Sequence, residues 1–138
     1  MALFAGANIN RKWLAMLLPL IALFISDLVL GFHSTMLYVY GAMALTVLIG
    51  FMLTKKAKSS QIAIASVSSS ILFFLITNFG AWYSGMMPYS RDFSGLIQAY
   101  VAGIPFFNIA LAGDLFYTAI MFGSLYLVQK HLPRWAQA

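Results

Sequence analysis

Polar side chains that could do chemistry are few in this sequence, and those that interrupt its apolar runs are the informative ones. Only three of 138 residues are acidic, and two of them, Asp27 and Asp114, lie inside stretches of aliphatic and aromatic residues. Placing an Asp at the centre of a membrane helix costs about 2.5 to 3.5 kcal/mol on insertion scales, so such a residue is a functional candidate. Asn78 and Trp82 are four apart and share one helical face, with Tyr83 beside them, and Asn108 opens the last apolar run, with Thr118 one turn beyond Asp114. Together Asp27, Asn78, Trp82, Tyr83, Asn108 and Asp114 form a candidate ligand-binding set. Aromatic walls are at hand in Phe73, Phe74, Tyr100, Phe106 and Phe107, and few polar groups among apolar walls is the chemistry of a small-molecule pocket.

Each of these residues also has a structural reading. Asp114 follows Gly113 in what reads as the first turns of a helix, where free amide hydrogens favour a carboxylate. Asp27 is near a helix C-terminus, where the dipole opposes negative charge, so a neutral or partnered state is expected there. Trp82 and Tyr83 fit an aromatic belt, and Asn78 fits an interhelical hydrogen bond. The shared location of the set on one side of the membrane carries the functional reading.

Other chemistries are missing from the sequence. There is no cysteine, so no disulfide, thiolate nucleophile or Cys-type metal site can form. His33 and His131 fall on opposite sides of the membrane in the topology below, and no metalloprotease, nucleophile-elbow or phosphate-loop motif occurs. We expect no enzyme activity, no metal and no cofactor. Any active transport would draw its energy from another chain or an ion gradient.

The elements that must position these residues follow from composition. Hydrophobic residues make up 62% of the chain and charged ones 8%, with mean hydropathy +0.89, which leaves too little charge to cover a soluble surface. Four runs are long enough to cross a bilayer: Trp13 to Phe32, Met36 to Thr54, Gln61 to Tyr83 and about Ile109 to Gln129. They are continuously apolar rather than alternating, so the expected fold is an all-α polytopic transmembrane bundle forming one domain over 1–138. The first run contains Pro19 and Asp27 and lacks a cleavage pattern, so it is not a signal peptide.

Basic residues cluster at Arg11 and Lys12, at Lys55, Lys56 and Lys58, and at Lys130 and Arg134, and the positive-inside rule places all three clusters in the cytoplasm. The net charge of +5 is thus a topology signal rather than a nucleic-acid footprint. Orientation in a bacterial inner membrane with a cytoplasmic C-terminus follows, provided that Phe93 to Phe107 does not cross. That stretch predicts an interfacial or re-entrant helix over about 93–105, ended by Pro105. Residues 1–10 are apolar and too short to span, and predict a partial helix at the cytoplasmic side. The candidate polar residues then fall near the outer face, with Asp27 and Asp114 at similar depth. Small residues four apart, Ser66 with Ser70, Ala65 with Ser69 and Ala119 with Gly123, permit close helix approach.

The runs SDLVLGF (Ser26 to Phe32), FFLITNFGAWYSGMMPYS (Phe73 to Ser90), YVAGIPFFNIALAGDLFYTAIMFG (Tyr100 to Gly123) and ALFAGA (Ala2 to Ala7) resemble a family of small bacterial membrane proteins of uncharacterised function. That family is similar in turn to the substrate-binding S components of energy-coupling factor vitamin transporters. The resemblance implies an S-component-like bundle with a pocket open to the outside, here lacking its first helix, and a transporter module as partner. Two functions are therefore expected to compete. One is binding of a small vitamin-like solute for uptake; the other is a non-catalytic accessory subunit of a larger membrane complex.

Overall fold

A computed structural model describes residues 1–131, which form five helices: α1 (Ala2–Asn8), α2 (Lys12–Leu30), α3 (Met36–Met52), α4 (Ser59–Tyr83) and α5 (Phe93–His131). Continuous apolar sequence favours helices because each satisfies its own backbone polar groups where lipid offers no partner. Among the described residues, α2, α4 and α5 are long and apolar enough to cross a membrane, whereas α3, at 17 residues, is at the lower limit. The Lys12 ammonium lies 5.8 Å from the Phe51 ring centroid, so α2 begins where α3 ends and α3 carries the chain back across. Arg11, Lys12, Lys55, Lys56 and Lys58 thereby share one end of the molecule, called here the basic end. Arg134 lies outside the described residues.

α2, α3, α4 and α5 pack in chain order as a row, and α2 touches neither α4 nor α5 among the described residues. The two-turn α1 contacts all four of the others. The row therefore curves around it. Packing is inverted relative to a soluble protein. The buried positions are mostly small, including Ala15, Ala42, Ala65, Ser66, Ser69 and Ala99, while many large apolar side chains face outward. Small interior residues let membrane helices approach closely. α1 and α3 approach closely: a Cβ at Gly6 would strike the Val47 carbonyl oxygen, and one at Gly50 would come within 2.9 Å of Gly6 Cα.

α5 corrects one expectation. The segment 93–105 and the span 109–129 are a single helix of 39 residues, about 58 Å long at 1.5 Å per residue, and Pro105 lies inside it. A proline removes one intrahelical hydrogen bond, but in an apolar environment a break would expose several more backbone groups, so the helix continues. α5 runs antiparallel to α4, with Ser66 Oγ 3.2 Å from Thr118 Oγ1 and the Tyr100 hydroxyl donating to the Leu75 carbonyl at 2.8 Å. This register also corrects the depth of Asp114. It lies opposite Ser70, near the middle of α4, whereas Asp27 is three residues from the end of α2.

Candidate functional site

Between α4 and α5, in the half of the molecule away from the basic end, is a cavity of about 450 Å³. Its floor is Ser70 and Asp114, its walls carry Phe73, Phe74, Phe106 and Phe107, and Met86, Met87, Pro88 and Tyr89 of the α4–α5 loop form its roof. A second cavity of about 390 Å³ adjoins it toward α1 and α3 and shares Ser70, Phe73, Ala110 and Asp114. Asp114 is thus the carboxylate at the junction of the two. The Ser70 hydroxyl is 2.7 Å from Asp114 Oδ2, with the Ser66 carbonyl 3.0 Å away as its alternative acceptor. The hydroxyl of Ser69, a buried residue lining the lower cavity, has no partner among the described residues.

Asn78 lines the upper cavity from α4. Its amide nitrogen donates to the Phe74 carbonyl one turn back at 3.0 Å. Across from it, Gly103 leaves the space that Asn78 and Phe74 occupy. A Cβ there would lie 2.6 Å from Asn78 Oδ1 and 2.9 Å from Phe74 Cε2.

The roof is fastened from both sides. Trp82 Nε1 donates to the Ser90 carbonyl at 2.9 Å, and Gly95 packs so closely on Ser90 that any side chain would collide with it. Asp92 caps α5, its Oδ1 accepting the Gly95 N–H and the Ser90 hydroxyl, each at 2.7 Å. The Gly95 N–H foremost, and then Ser90, hold the Asp92 carboxyl below its usual range. Gly85, with φ at 77°, supplies the left-handed turn after α4 that few other residues would adopt.

The structure therefore brings Asn78 and Asp114 into one cavity and places the other four candidates elsewhere. Asp27 is buried beside α3, accepting a hydrogen bond from the Tyr40 hydroxyl at 2.8 Å, with His33 Nε2 3.8 Å from its other oxygen. His33 Nδ1 in turn lies 2.7 Å from Thr35 Oγ1. Because α2 and α5 do not meet, Asp27 and Asp114 are not a carboxylate pair. Trp82 secures the roof, Tyr83 is 58% exposed and stacks on Phe79, and Asn108 is exposed on α5 outside the lining. Sequence reasoning missed Ser70 and Gly103 as site residues. Ser70 was visible only as one of a pair of small residues, and that pairing signals helix contact.

No curated protein and no solved structure matches the chain. The sequence profile of DUF6580, a family of unknown function, matches residues 1–135. The chain is a membrane-spanning helical protein that belongs to this family.

Proposed function

We propose that the protein binds a small, vitamin-like organic solute in the cavity between α4 and α5 and serves its uptake, in the manner of an S component. The observation that carries this reading is the cavity itself: about 450 Å³, walled by aromatic residues, floored by one carboxylate and roofed by a pinned loop. That volume falls in the range of small-molecule sites, roughly 300 to 1,000 Å³. With the basic end in the cytoplasm, as retention of Lys and Arg favours, the roof faces the outside of a bacterial inner membrane. Asn78 and Asp114 are the polar contacts. Asp27, Trp82, Tyr83 and Asn108 act around the rim or in the scaffold.

A second reading, an accessory subunit of a larger membrane complex, draws on the open row, which leaves α2 and α5 each with one row neighbour. Native mass spectrometry of protein released from mild detergent distinguishes the two. The binding reading predicts a retained small molecule on the native chain and its loss in Gly103→Leu, whose side chain would crowd Asn78 and Phe74. A native chain that carries another polypeptide and no small molecule contradicts the binding reading.

A further inference from the structure

Resting on that reading of the cavity, we infer that its occupant is an organic cation, an ammonium group borne on a compact apolar or aromatic body. Among the described residues, neither cavity is lined by a Lys, Arg or His side chain, so none of them places a basic side chain beside Asp114. Only one of its two oxygens takes a hydrogen bond among the described residues, from Ser70. A carboxylate at mid-helix depth in a lipid-embedded chain is costly unless it meets a counter-charge.

The neighbouring groups fit the same ligand. An ammonium offers up to three donors and no acceptor, which suits Asp114 Oδ1, free of a hydrogen bond among the described residues. The ring faces of Phe73, Phe74, Phe106 and Phe107 attract a cation through their quadrupoles while they cover its apolar body. An anionic solute would meet Asp114 with no basic side chain to offset it. A neutral solute would bring the carboxylate no counter-charge.

Three probes of one shape test this: phenethylammonium, 2-phenylethanol and 3-phenylpropionate, titrated calorimetrically into the detergent-solubilised protein at neutral pH. We expect the ammonium to bind about tenfold tighter than the alcohol, a factor corresponding to about 1.4 kcal/mol, with the propionate weakest. Asp114→Asn, close in shape and still able to accept from Ser70, should abolish the tenfold preference for the ammonium over the alcohol. Asp114→Glu should keep the preference for the cation. Equal binding of ammonium and alcohol by the native protein would overturn the inference, while the cavity would still stand as a binding site. Binding of none of the three would overturn both. If Asp114→Asn fails to fold, the ranking of the three probes on the native protein decides.

Discussion

Asp27 and Asp114 show how the same residue type acquires different chemistry from its neighbours. Asp27 is 5% exposed, held by the Tyr40 hydroxyl and flanked by His33, so it joins the far ends of α2 and α3. Asp114 is exposed to a cavity and has Ser70 as its partner. Asp27→Ala should therefore lower stability by about 1.5 to 3 kcal/mol, the worth of a hydrogen bond to a charged group, here the one the buried Asp27 carboxylate accepts, and leave probe binding intact. Thermal unfolding in detergent alongside the titration above checks both halves. A stable variant that no longer binds would move Asp27 into the site. Asp114 and Asn78 were legible in the sequence because polar groups in apolar runs stand out. Ser70 and Gly103 were not, since a serine or glycine in a membrane helix ordinarily signals close packing, and only the antiparallel register of α4 and α5 shows what their smallness leaves room for.

At the scale of elements, α5 departs most from what the sequence suggested. Pro105 resembles a stop because water can take up the backbone groups freed at a helix end, whereas lipid cannot, so α5 persists. Its start is set by Asp92. Because folding holds the Asp92 carboxyl below its ordinary range, its stabilisation of the α5 start is complete above the unfolded pKa of about 3.9 and is lost as pH falls through the lower folded value. Trp82, bonded to the Ser90 carbonyl, reports on this loop. With Trp13 and Trp135 replaced by Phe, Trp82 emission should shift as pH falls below about 4 and should shift little in Asp92→Asn, which keeps a capping oxygen without ionising. Identical acid titrations for the two proteins would remove Asp92 from the role of cap.

For the whole molecule, the sequence disclosed the membrane as solvent, the helical class and the basic end, because these depend on composition and charge alone. The curvature of the row around α1 and the cavity it leaves depend on glycine and serine contacts between distant segments, and no local pattern encodes those. The central claim is that the cavity, with its loop roof, lies on the side of the membrane opposite the basic end. The chain has no cysteine, so a single introduced thiol reports its own exposure. Ala110, on the wall shared by the two cavities, is the position of choice, with the loop residue Lys56 as the reference for the basic end. In intact cells a membrane-impermeant maleimide should label Ala110→Cys from outside and label Lys56→Cys only after permeabilisation. Labelling of Lys56→Cys in intact cells, or of Ala110→Cys only once the cytoplasm is opened, would contradict the outward-facing site.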